Sequence, residues 1–174
     1  MKLLRNIAIG VLSIGLMAPV AMLASTPQDL SAQVRHELVM LPYYNVFDDL
    51  AYRVDGSTVY LYGDVTRPTL KADAERAVQH IEGVTTVVNN INVLPLSPFD
   101  NQTRRAVYRA VFGYGGLYRY AMGANPSIHI IVDNGHVKLV GVVGTQADKN
   151  IAGIRANGVP GVFSVQNDLR VAQG

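Results

Sequence analysis

"AYRVDGSTVYLYGDV", residues 51–65, decides the fold, because it returns as "HIIVDNGHVKLVGVV", residues 129–143. Each stretch alternates apolar and polar residues on both sides of a turn signal, Asp55-Gly56-Ser57 in one and Asp133-Asn134-Gly135 in the other. Period-two alternation around such a turn predicts a β-hairpin. Val59, Leu61 and Val65 share a parity and so face one side of the sheet.

Extended outward at a constant offset of 78, residues 54–93 match residues 132–171 without a gap, and thirteen of the forty pairs are identical. After the first hairpin, Pro68 suits the first turn of a helix. Leu70, Ala74, Ala77, Val78 and Ile81 then follow at helical spacing. Gly83 ends that helix, and "VTTVVNNINVL", residues 84–94, returns as a strand. The second copy has Thr145 as N-cap, Asp148 in the place of Leu70 and Arg155 in the place of Ala77. Its Asn157-Gly158 predicts an earlier stop and a looser helix.

A leading helix precedes each hairpin. In the first copy Ser31 can cap it, Val34, Leu38 and Leu41 mark its apolar face, and Pro42 stops it. In the second, Asp100 or Asn101 can cap it and Val107, Ala110 and Val111 form the stripe. These helices align at an offset near 69, so about nine extra residues fall in or near "FGYGGLYRYAMGANP", residues 112–126. The expected architecture is α+β. Two tandem αββαβ units each form a three-stranded mixed sheet with two helices packed on one face. The expected domains are residues 25–94 and 101–174, with a linker at 95–100 and a Gly/Tyr-rich insertion near 113–125.

Residues 1–24 read as an export signal. Lys2 and Arg5 precede an uncharged stretch from Ile7 to Ala24, with Ala18, Ala21 and Ala24 near its end. That places the protein in the periplasm. The alternative is an uncleaved inner-membrane anchor, although eighteen uncharged residues only just reach a span and Pro19 interrupts them. The net charge of +2 falls to zero once Lys2 and Arg5 are removed. Residues 25–97 hold five Lys/Arg against nine Asp/Glu, and residues 98–174 hold eight against four. An acidic half and a basic half suit an anionic partner on one side, or docking of the halves within or between molecules.

No constellation for catalysis emerges. Cysteine is absent, which excludes disulfides, thiolate metal sites and a cysteine nucleophile. His36, His80, His129 and His136 lack metal-ligand spacing. His129 and His136 could approach across the second hairpin, but two histidines without a third ligand make a poor site. Asp48-Asp49 read as solvated turn charges that point apart. Gly113-Tyr114-Gly115-Gly116 follows no strand and completes no nucleotide loop. Asn101-Gln102-Thr103, a glycosylation triplet, reads as a helix start. No catalytic residue, metal, cofactor or small-molecule substrate is expected.

The run "RRAVYRAVFGYGGLYRY", residues 104–120, carries the candidate site. Arg104, Tyr108 and Phe112 stack at i, i+4 and i+8, with Arg105 and Arg109 beside them and Val107, Ala110 and Val111 opposite. Arginine binds phosphate in bidentate fashion. Tyrosine tolerates the boundary between headgroups and acyl chains. With Tyr114, Leu117, Tyr118, Arg119 and Tyr120, the run could form an interfacial anchor for anionic phospholipid. In the competing reading, these residues fill the core or the interface between the repeats. Export and the neutral mature charge argue against nucleic acid.

The repeated unit resembles the BON domain, named for bacterial osmotically inducible and nodulation proteins. The resemblance rests on Gly63 and Gly141 after the second strand, and on Gly83-Val84 and Gly161-Val162 after the helix. It rests also on the "V-x-N" of Val87–Asn89 and Val165–Asn167. Two copies behind a signal segment resemble osmotically inducible periplasmic proteins. The resemblance implies a small α/β unit with no agreed catalytic residue, attachment to phospholipid surfaces, and an envelope-stress role. A chaperone-like protein that binds an envelope protein client is the alternative. A hydrolase is the remote one, and it requires His129, His136 and a carboxylate to share a pocket. The four glycines, Gly63, Gly83, Gly141 and Gly161, are expected to be structural, permitting tight turns and close helix–sheet approach.

Overall fold

The computed structural model describes residues 27–172 except 114 and 124, so the expected export signal and Tyr114 lie outside the described residues. The first repeat comprises α1 (Pro27–Val39), β1 (Ala51–Asp55), β2 (Thr58–Tyr62), β3 (Asp64–Val65), α2 (Pro68–Gln79), β4 (Thr86–Asn89) and β5 (Asn92–Val93). The second comprises α3 (Pro98–Phe112), a 3₁₀ turn at Tyr118–Ala121, β6 (Ile128–Asp133), β7 (His136–Val143), α4 (Gln146–Asn157), β8 (Ser164–Asn167) and β9 (Arg170–Val171).

The repeat seen in the sequence is a repeat of structure. β1 and β2 pair antiparallel, with Val54 opposite Val59 and Asp55 opposite Thr58. β6 and β7 repeat that register 78 residues on, with Val132 opposite Val137 and Asp133 opposite His136. β4 then joins β2 in parallel, as β8 joins β7. β3–β5 and β7–β9 form short parallel continuations. In the first repeat, Val34 and Leu38 of α1 and Leu70, Ala74 and Val78 of α2 bury against Val59, Leu61 and Val65. In the second, Val107 and Val111 of α3 and Ala152 and Ala156 of α4 bury against Ile130, Val132, Val137 and Leu139.

The residues shared by both copies hold equivalent joints. Gly63 has φ 117°, and a Cβ there would lie 2.1 Å from the Asp49 carbonyl oxygen. Gly141 has φ 125°, and its Cβ would lie 2.0 Å from the Ser127 oxygen. Only glycine lets the chain entering β1 or β6 pass so close to the strand beside it. Asn89 Nδ2 donates to the Lys71 carbonyl at 3.0 Å and Asn167 Nδ2 to the Lys149 carbonyl at 2.7 Å, tying each last strand to its helix. Gly83 and Gly161 turn the chain after the helices, also at positive φ.

Several local expectations need correction. Ser31 lies inside α1, where its hydroxyl pairs with the Tyr52 hydroxyl at 3.2 Å instead of capping. α3 begins at Pro98, within the stretch expected to be linker. Ser97 is its cap, accepting from the Asp100 N–H at 3.1 Å, so neither Asp100 nor Asn101 serves that role. Thr145 caps α4. α4 does not stop early: α2 and α4 both have twelve residues. Asp148, in the place of buried Leu70, stays buried by finding polar partners.

The two repeats pack together. Val46, from the segment between α1 and β1, belongs to the core of the second repeat. Its carbonyl accepts from the Ile130 N–H at 2.7 Å and so covers the edge of β6. Tyr44 stacks on His129 with ring centroids 5.4 Å apart. Lys138 Nζ meets Asp64 Oδ2 at 2.6 Å, and Asn125 Nδ2 donates to the Val39 carbonyl at 3.1 Å.

Candidate functional site

The expected anchor divides when folded. Ser97 and Pro98 start α3, and Gly113 ends it with its N–H on the Arg109 carbonyl at 2.9 Å. The buried stripe of α3 is wider than the sequence pattern suggested and includes Asp100, Thr103, Arg104 and Phe112. Arg104, expected on the outer face, is only 4% exposed. It sits one turn before Val107, so its stem follows the core-facing stripe. Its Nη2 donates to the Val132 carbonyl at 2.6 Å and its Nη1 to Asn101 Oδ1 at 2.7 Å. Burial lowers its pKa, and the neighbouring Asp100 carboxylate opposes that shift. Arg104 is therefore a structural strut, and Phe112 is core.

The glycine- and tyrosine-rich segment splits in the same way. Leu117 and Tyr120 are buried in the core of the second repeat, which follows the competing reading and takes them out of the anchor. The Tyr120 hydroxyl donates to Asp148 Oδ2 at 2.8 Å and accepts from the Gly144 N–H at 2.8 Å. Arg119 is exposed but engaged, with Nη2 2.7 Å from Asp148 Oδ2 and its guanidinium over the Tyr120 ring. Hydrogen bonds from Thr145 and Tyr120, together with the Arg119 charge, hold the Asp148 carboxyl below the usual carboxylate range. Tyr118 remains exposed.

What stays at the surface is smaller and includes residues the sequence did not single out. Arg105 and Arg109 are exposed, one helical turn apart, and their guanidinium groups form no ion pair or hydrogen bond among the described residues. Between them lies a shallow apolar groove of about 280 Å³ walled by Val46, Phe47, Tyr108 and the two arginine stems. The Tyr108 ring meets Phe112 edge-on at 4.9 Å and Phe47 at 6.2 Å. Val46 and Phe47 come from the first repeat. A contact made across 60 residues of chain leaves no local pattern in the sequence.

The remaining candidates separate. Asp48 is not solvated but fully buried: its Oδ1 accepts from the Thr66 N–H at 2.7 Å and its Oδ2 from Asn45 Nδ2 at 2.7 Å. Asp49 points elsewhere, toward His129 and Lys138, and burial raises its pKa. Burial and the Asp49 charge push the Tyr44 hydroxyl well above its ordinary value. His129 and His136 do not meet. His129 stacks on Tyr44, whereas His136 Nδ1 pairs with the Ser164 hydroxyl at 2.8 Å. Among the described residues no group of three His, Cys, Asp or Glu could hold a metal ion, and no helix is long and apolar enough to cross a membrane.

Comparison with known proteins shows the family. The BON domain model matches residues 28–95 and again residues 100–173. Osmotically-inducible protein Y of Escherichia coli (strain K12) is 31% identical over 133 residues, covering 70% of this chain and 61% of its own length. The chain thus spans less than two thirds of that curated relative. Among solved structures, the C-terminal domain of CdsD, a structural protein of the type III secretion system of Chlamydia trachomatis, aligns over 83% of this chain and 98% of its own. It does so at 12% identity with a TM-score of 0.34.

Proposed function

The chain belongs to the BON domain family, and we propose from that premise that it is an exported, non-enzymatic envelope protein of osmotic stress. In this reading its second repeat docks on anionic phospholipid surfaces. The observation that carries the lipid reading is the pair of unengaged guanidinium groups, Arg105 and Arg109, bracketing the apolar groove of Val46, Phe47 and Tyr108. Two phosphates can be met by the arginines while the groove and the Tyr108 ring lie against the headgroup boundary. The uncharged stretch from Ile7 to Ala24 supports export. The name of the similar Escherichia coli protein supports the osmotic setting.

Each arginine near an anionic surface contributes about 1 kcal/mol. Replacing both with alanine is therefore expected to weaken binding to anionic vesicles by about 30-fold. The test is vesicle co-sedimentation of the chain lacking residues 1–24, at low and high salt, with anionic and neutral lipid. Arg104 is left intact, because its loss would perturb the fold. Binding that is selective for anionic lipid, weakened by salt and lost in the Arg105→Ala/Arg109→Ala variant is the expected result. Absence of binding at low salt, or equal binding by the variant, refutes the lipid reading.

A further inference from the structure

The two repeats treat the same strand edge in opposite ways. In each hairpin the two-residue loop makes the closing residues a hydrogen-bonded pair, so every second residue of the first strand turns its N–H and C=O outward. On β6 these are Ile130 and Val132. The Ile130 N–H is taken by the Val46 carbonyl at 2.7 Å, and the Val132 carbonyl by Arg104 Nη2 at 2.6 Å. Their counterparts 78 residues earlier, on β1, are Tyr52 and Val54. Among the described residues nothing outside the hairpin bonds the main chain of either one. Among the described residues β1 pairs with β2 alone. Arg35, which stands in α1 where Arg104 stands in α3 at the offset of 69, is exposed, and its guanidinium makes no hydrogen bond or ion pair among the described residues.

A groove runs along this open edge. It has two sections, of about 820 and 610 Å³, that share Arg35, Val39 and Tyr52. The larger section continues past Leu50 to His129 and Arg170 of the second repeat. Arg170 is also exposed and unengaged among the described residues. Asp49 lines the groove too, electrostatically coupled to His129 and Lys138.

We propose that the β1 edge takes an extended peptide as an added strand, apolar where it faces Val39 and Tyr52 and acidic where it meets Arg35 and Arg170. The occupant's bonding is drawn inside the molecule, since the Val46 carbonyl already bonds the equivalent edge of β6 through the Ile130 N–H, and its charge from the two unengaged guanidinium groups beside the groove. Main-chain bonds to Tyr52 and Val54 supply the pairing, and the arginines select the charge. The acidic residues of the guest lie over the arginines and away from Asp49. The site is centred on β1, at the seam with the second repeat, and does not depend on the lipid reading.

The test uses the chain lacking residues 1–24 and a synthetic peptide of residues 43–50, YYNVFDDL, the segment that covers β6. Two further versions carry backbone N-methyl groups on alternate residues, one version for each edge of the extended peptide. Amide hydrogen exchange is followed by NMR. The peptide is expected to slow exchange at Tyr52 and Val54 at least tenfold and to leave Ile130 unchanged. One methylated version should lose this effect and the other keep it. Arg35→Glu, at an exposed position, should weaken binding at least tenfold. Unchanged exchange at Tyr52 and Val54 under saturating peptide overturns the proposal, as does equal action by both methylated versions. Slowing that appears with rising protein concentration and no peptide also overturns it, because the edge would then belong to a second copy of the chain.

Discussion

Alanine at Gly63 tests whether the close chain approach shared by both repeats holds the fold. Two effects add at this position. A non-glycine residue at φ 117° costs roughly 1–3 kcal/mol in backbone strain. The new Cβ would also sit 2.1 Å from the Asp49 oxygen, so the chain entering β1 must move, at a further cost of roughly 1–3 kcal/mol. Gly83 is the internal control. Its φ of 93° demands the same strain, yet nothing lies within 4 Å of its Cβ position. The gain from stiffening the unfolded chain is the same for both substitutions and cancels in the comparison. The difference between Gly63→Ala and Gly83→Ala therefore isolates the approach. At a urea slope of about 2 kcal/mol per molar, it amounts to a midpoint roughly 1 M lower for Gly63→Ala. Urea denaturation followed by circular dichroism on both variants reads this directly. A Gly63→Ala midpoint equal to or above that of Gly83→Ala refutes the reasoning.

Three further substitutions probe the polar groups held within the fold. Arg104→Met removes the donor to the Val132 carbonyl and should destabilise by about 1–3 kcal/mol in urea, while the folded variant keeps parental vesicle affinity; loss of affinity without loss of stability would return Arg104 to the binding face. Asp148 has a folded pKa below its ordinary 3.8, so its contribution is present above that value and is lost as pH falls through the folded pKa. Asp148→Asn should accordingly lower the melting temperature at pH 7, with the deficit shrinking under acid. Asp49 has the opposite sign. Its folded pKa lies above 3.8, so the charged form opposes folding at neutral pH. Asp49→Asn should therefore raise the melting temperature at pH 7, and the gain should fade as pH falls through the raised pKa toward 3.8. Melting curves at pH 7 and pH 4 that show the same sign for both variants would contradict these assignments.

The hairpins, the second helices and their glycines were legible because their causes are local. Period-two alternation, a proline at a helix start and a repeated glycine each act within a few residues. The candidate site was half legible for the same reason. Helical spacing placed Arg105, Tyr108 and Arg109 outward, and they are exposed. The same spacing failed for Arg104, because a long stem on a core-facing position can reach an open carbonyl that only the folded sheet supplies. Spacing also could not show how Asp148, in the place of buried Leu70, stays inside: beside its cap Thr145 it gathers Tyr120 and Arg119 from a distant part of the chain. Asp48 misled in the same way, since its partner Thr66 lies 18 residues away. Val46 and Phe47 carried no signal at all, because their importance comes from where the second repeat places its edge.

Arg35 and Arg104 bring these points to one cause. They stand at equivalent positions of duplicated helices, beside equivalent strand edges, and differ in what else reaches the edge and in the helix neighbours, Asp100 and Asn101 beside Arg104 and Ser31 and Ala32 beside Arg35. On β6, Val46 closes half of it, and the desolvated Val132 carbonyl then holds Arg104 inside. On β1 no segment among the described residues bonds Val54 from outside the hairpin, and Arg35 stays at the surface. A guanidinium is drawn into a protein only where a carbonyl has already lost its water, because otherwise its own desolvation goes uncompensated. A peptide that pairs with Tyr52 and Val54 should therefore leave Arg35 at the surface, where the guest's carboxylates meet it. The duplicated scaffold thus carries one closed edge, which fixes the two repeats to each other, and one open edge with its arginine still free to engage.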